Sequence, residues 1–124
     1  MTPEEYIQAA LRTEPSSYGF SETNGISPRL EHAILGITTE AGELLDVVKK
    51  AKIYGKPFDR AHVAEELGDV FWYSAVLADE LGVSFEEIWK KNILKLQARY
   101  PEKYEHSAAL NRDLDSEVTA MENV

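Results

Sequence analysis

Cysteine is absent from this 124-residue chain. That excludes disulfide frameworks, thiolate zinc sites and cysteine nucleophiles, and makes a cytoplasmic location the expectation. Long apolar runs are missing too. None approaches the ~20 residues of a membrane span, so no membrane partner is expected. The opening Met1-Thr2-Pro3-Glu4-Glu5 is acidic and reads as neither a secretory signal nor a transit peptide. Basic charge is scarce: 13 Lys and Arg against 22 Asp and Glu give a net charge of −9. A nucleic-acid polymer is therefore not expected as a partner, because phosphate backbones need clustered cations. An acidic chain can still take a small polyphosphate through a bound cation. Strand signals are nearly missing as well.

What is present is helical periodicity. The first segment, about Thr2 to Arg12, has a capping Thr2, Pro3 at the first helical position, and Tyr6, Ile7, Ala10 and Leu11 on one side. Residues 13 to 26 shift to Pro, Ser, Gly, Asn and Thr and read as a loop, with Tyr18 and Phe20 as anchors or part of a lid. Ser27 and Pro28 open a second helix to about Lys52, whose stripe of Leu30, Ile34, Ile37, Ala41, Leu44, Leu45 and Val48 predicts core. Gly36 and Gly42 within it each cost about 1 kcal/mol relative to Ala and predict close helix approach. Asp59 caps a third helix to about Leu81, with Val63, Leu67, Val70, Phe71, Ser74, Leu77 and Ala78 facing inward. Ser84-x-x-Glu87 is a capping box for a fourth, which faces Phe85, Ile88, Trp89, Ile93 and Leu96 inward and ends before Pro101. Residues 105–124 are acidic and polar, an expected tail with a short helix near 108–114.

Two carboxylate pairs stand out: Glu40-Ala41-Gly42-Glu43 and Glu66-Leu67-Gly68-Asp69, with Glu65 before the second and Tyr73 one turn after it. On a helix, i, i+3 spacing puts both acids of a pair on one face, roughly 5 Å apart. Both pairs border the apolar stripes. Acids on two neighbouring helices would repel strongly unless a hard cation sat among them, and oxygen-only clusters suit Mg²⁺, with Mn²⁺ as a substitute.

These residues resemble the signature of the MazG-like, all-α nucleoside triphosphate pyrophosphohydrolases. The resemblance rests on Glu40-x-x-Glu43 and Glu66-x-x-Asp69, with residues 44–65 between them, and on Asn92-x-x-Lys95-Leu96-x-x-Arg99-Tyr100-Pro101 downstream. It covers roughly residues 28–104. It implies an all-α bundle of four to five helices over residues 1–104, completed by assembly into a homodimer or homotetramer. The implied reaction is hydrolysis of a nucleoside triphosphate between the α- and β-phosphates, giving the monophosphate and pyrophosphate. Glu40, Glu43, Glu66 and Asp69 would be Mg²⁺ ligands, and Tyr73, Asn92 and Lys95 would contact phosphate or sugar, with Arg99 beside them. Glu43 or Glu65 would be the general base, and Lys95 would stabilise the departing pyrophosphate.

No residue visibly encodes base choice. Trp72, Tyr54, Phe20 and Trp89 could stack on a base, although aromatics at helical spacing are more often core. His32, two turns before Glu40, either lines the pocket mouth or sits satisfied on the helix surface; His62 and His106 read as bland surface residues. A di-iron or di-manganese bundle normally needs Glu-x-x-His pairs, and none occurs. A dUTP- or phosphoribosyl-nucleotide-specific relative would share the metal chemistry. A non-catalytic interaction module would instead leave the four acids pointing outward independently.

Overall fold

Each of the first four helices begins at a side chain that accepts one of the backbone N–H groups left open at a helix start. In the computed structural model, which describes residues 1–122, Thr2 caps α1 (Pro3–Leu11) in a capping box with Glu5. Ser27 caps α2 (Pro28–Lys52), Asp59 caps α3 (Arg60–Leu81), and Ser84 with Glu87 forms the box that opens α4 (Phe85–Arg99). Two further helices follow, α5 (His106–Leu110) and α6 (Leu114–Glu122). The fold is all-α. Among the described residues the only strand-like pairing is an isolated bridge between Thr23 and Ile26. It closes over Asn24 and Gly25, both at positive φ (54° and 75°), as a tight hairpin turn requires. Among the described residues no helix is long and apolar enough to cross a membrane.

The chain separates into two compact units, Met1–Gly82 and Val83–Val124. In the first, α2 and α3 run antiparallel and α1 lies against α3. Their register is set by Arg29 meeting Asp79, Gly36 meeting Tyr73, and Glu40 meeting Glu66 and Asp69. On the α2 side of the contact Ala33 and Gly36 are buried with Val47, and on α3 Ala75, Val76 and Ala78 are buried. Short side chains let helix axes approach towards the near end of the usual 8–10 Å range.

The expected stripes of large apolar residues are only partly covered. On α2, Leu45 is 68% exposed and Ile34 49%; on α3, Phe71 and Leu67 are nearly half exposed. Of the α4 stripe, Phe85 is buried while Ile88, Trp89 and Ile93 are exposed. On α2 the physical reason is that its face towards Tyr73 carries Gly36 and Ala33 in place of the large stripe residues. Gly42, expected at a close approach, has open space around it, whereas Gly36 does meet a neighbour.

In the second unit, α6 packs on α4. A nine-residue acidic helix is too short to hold itself together in water. Glu117 supplies the anchor: 3% exposed, it receives a two-point hydrogen bond from Arg99 (2.7 and 3.1 Å) and a second from Arg112 (3.2 and 2.6 Å). These bonds push its pKa down to about 2.

Candidate metal centre

Glu40 on α2 and Glu66 and Asp69 on α3 each offer a carboxylate oxygen, and these oxygens all lie within 4.8 Å of one another. Glu66 is buried, Glu40 half-buried and Asp69 exposed. Two like charges at that distance repel by about 3 kcal/mol near a protein surface, less where solvent screens Asp69. The strain is visible at Glu40. Its carboxyl is raised above the ordinary carboxylate range, first by desolvation and then by the charges of Asp69 and Glu66. A donor set made only of carboxylate oxygens, one of them buried, fits a hard divalent cation and no thiolate- or imidazole-seeking metal.

Glu43 lies outside this oxygen triplet. It is exposed one turn along α2, close enough for its charge to add to the upward pressure on Glu40. Glu65 is more exposed still, at 72% of its side chain, and faces His62. His62 is the residue sequence reasoning passed over. Its Nε2 lies 3.1 Å from Glu66 Oε1 and its Nδ1 3.3 Å from Glu65 Oε2. The signal was available: His62, Glu65 and Glu66 stand at i, i+3 and i+4 on one helix.

One turn from the acids, the Tyr73 ring lies over Gly36. A Cβ at residue 36 would come within 2.1 Å of that ring. Beyond it His32 sits edge-on to Tyr73 (5.5 Å between ring centres) and against Tyr18 (5.3 Å). His32 is not the satisfied surface residue of the plainer expectation, because its Nδ1 is buried with no hydrogen-bond partner among the described residues. Tyr18 donates to Glu14, and desolvation with that bond pushes its hydroxyl up to about 12. Tyr18 is thus an anchor.

Trp72 is also committed. Its indole N–H donates to Thr13 Oγ1 at 2.8 Å, and the Thr13 hydroxyl donates on to Ala10 O, tying the end of α1 to α3. Arg29 holds the loop and both helices. It donates to both Glu14 oxygens (2.7 and 2.8 Å) and reaches Asp79 (2.7 Å) and Glu80 (3.3 Å). The guanidinium holds the Glu14 carboxyl below the usual range.

The downstream candidates lie on α4. Asn92 is exposed and Lys95 half-buried. Arg99 is engaged by Glu117, a partner that sequence reasoning did not foresee.

The model of the MazG nucleotide pyrophosphohydrolase domain matches residues 29–104. A protein of Mycobacterium phage L5, named Gene 37 protein, is 37% identical over 75 residues. That match covers 56% of this chain and 65% of the relative's own length. No solved structure matches. With the family model spanning more than half of its residues, the chain belongs to the MazG nucleotide pyrophosphohydrolase domain family.

Proposed function

We propose that the protein is a divalent-cation-dependent nucleoside triphosphate pyrophosphohydrolase that cuts between the α- and β-phosphates, releasing the monophosphate and pyrophosphate. The observation that carries this reading is the convergence of Glu40, Glu66 and Asp69 from two antiparallel helices in a chain of this family. An interaction module with independent outward-pointing acids would need neither that convergence nor the close helix approach at Gly36.

Glu40, Glu66 and Asp69 would hold Mg²⁺, or Mn²⁺ in its place, with Glu43 as a fourth carboxylate one turn from Glu40. The cation, when bound, supplies charge neutralisation for the polyphosphate and acidifies the attacking water. Glu43 or Glu65 accepts that water's proton as general base. Tyr73, fixed over Gly36, borders the polyphosphate. The resemblance would have Asn92 and Lys95 contact phosphate or sugar and Lys95 stabilise charge on the departing pyrophosphate, whereas Arg99 is held by Glu117. Trp72, with its N–H taken by Thr13, offers only its ring to a base. The exposed apolar side chains of α2 and α3 support assembly into a homodimer or homotetramer, since such a patch is otherwise costly in water. A cytoplasmic setting would supply both nucleotide and Mg²⁺.

The test is a panel of canonical and modified nucleotides, including dUTP, incubated with Mg²⁺ and assayed for products. Pyrophosphate and a nucleoside monophosphate are expected. Orthophosphate as the product, or no hydrolysis across the panel with either cation, overturns the reading.

A further inference from the structure

His62 occupies the third position of α3, where its backbone N–H donates to the Asp59 carboxylate at 3.0 Å. That cap fixes the turn from which its side chain projects. The imidazole lies between two carboxylates of unequal burial. Glu65 is 72% exposed, while the Glu66 side chain, whose Oε1 lies 3.1 Å from Nε2, is 10% exposed. Glu66 is also the most buried member of the acidic triplet. Among the described residues no Lys or Arg pairs with Glu66, and the nitrogen that approaches its carboxylate is His62 Nε2.

We propose that His62 is a positioning residue for the metal centre: by tethering one oxygen of Glu66 it fixes that carboxylate's orientation and raises the affinity for a divalent cation. This rests on the reading that Glu40, Glu66 and Asp69 hold the cation. A carboxylate crowded by two others swings away from them unless a donor restrains it. Without the tether it must give up that freedom each time a cation binds. A helix-surface pair of the same spacing would be of little consequence if both partners were solvated. The burial of Glu66 is what distinguishes this contact from the neighbouring one to Glu65. Removing such an outer partner of a metal ligand typically weakens binding by about 10–100-fold.

The experiment is a Mn²⁺ titration of the full chain without nucleotide, followed by electron paramagnetic resonance, on wild type, His62→Ala, His62→Gln and His62→Asn. The Gln amide nitrogen reaches about as far as Nε2, whereas the Asn amide stops short of Glu66. His62→Ala and His62→Asn are expected to bind Mn²⁺ at least ~10-fold more weakly, and His62→Gln to recover most of the loss. The Gln–Asn contrast decides the matter even if the Ala variant folds poorly. Equal affinities across the set overturn the inference, as does a Gln variant as weak as Asn. A wild-type chain that gives no bound-Mn²⁺ signal overturns the metal reading itself, and this role for His62 with it.

Discussion

Gly36→Ala tests how close α2 and α3 must be. The added methyl carbon would lie 2.1 Å from Tyr73 Cδ1 and Cε1 and 2.4 Å from Cζ. Ordinary carbon contacts are about 3.5–4.0 Å, so the ring has to retreat by roughly 1.5 Å. It has little room, because Trp72 stands edge-on at 5.0 Å and His32 at 5.5 Å. Overpacking of this kind costs about 1–3 kcal/mol, and the better helix propensity of Ala offsets about 1 kcal/mol. With the ring hemmed in on two sides, a net loss of about 1–2 kcal/mol is expected by urea denaturation. The decisive comparison uses Tyr73→Ala as the background. There the obstruction is gone, and Gly36→Ala should turn stabilising by up to about 1 kcal/mol. A substitution that is neutral or stabilising against wild-type Tyr73, or equally costly in both backgrounds, refutes the close-approach argument.

Glu66→Gln removes one charge from the acidic triplet; the metal-free variant should melt at or above wild type, and Mg²⁺ should no longer raise its Tm. A Mg²⁺-induced rise as large as that of wild type would remove Glu66 from the site. Arg29→Lys keeps the charge but loses the fork that reaches Glu14, Asp79 and Glu80 together. It should cost about 1–3 kcal/mol in denaturation experiments, and full stability would show that the network is decorative. Glu117 has its pKa depressed from 4.5 to about 2. Its contribution is therefore complete above pH 4.5 and lost as pH falls towards 2. The stability gap between wild type and Glu117→Gln should be widest at neutral pH and close in acid; a gap independent of pH would rule out the ion triad as its source.

The helix boundaries were legible because they rest on local chemistry. Thr2, Ser27, Asp59 and Ser84 act on N–H groups a few residues away, and i, i+3 spacing alone puts Glu66 and Asp69 on one face. The register that brings Glu40 to them was a consequence of an antiparallel pair. The buried set was not legible in the same way. Periodicity marks large apolar residues, but where α2 meets the Tyr73 ring of α3 it does so through Gly36, with Ala33 buried one turn away on the same face. Glu117 was hidden for a different reason: Arg99 is 18 residues away, and an acidic segment read by composition gives no hint that one of its acids is buried. His62 was readable and was passed over, because it was weighed alone rather than with the acids one turn beyond it.

The arrangement of anchors around the acids explains why their repulsion persists. At one end of the helix pair, Arg29 joins α2 to Asp79 and Glu80, and the Ser27 hydroxyl donates to Glu80. At the other end the chain itself, through the turn at residues 53–59, keeps the helices together. Between these fixed ends the Gly36–Tyr73 contact sets a close spacing one turn from Glu40. The helices therefore cannot splay to separate Glu40 from Glu66 and Asp69. Two responses are left. One is uptake of a proton, and the raised Glu40 pKa is that tendency. The other is uptake of a divalent cation, which offsets two of the three charges at once. If the three acids hold the proposed cation, helix packing of this kind would return the stored repulsion as binding energy, so weakening the Arg29 clamp should lower cation affinity even though Arg29 touches none of the three acids.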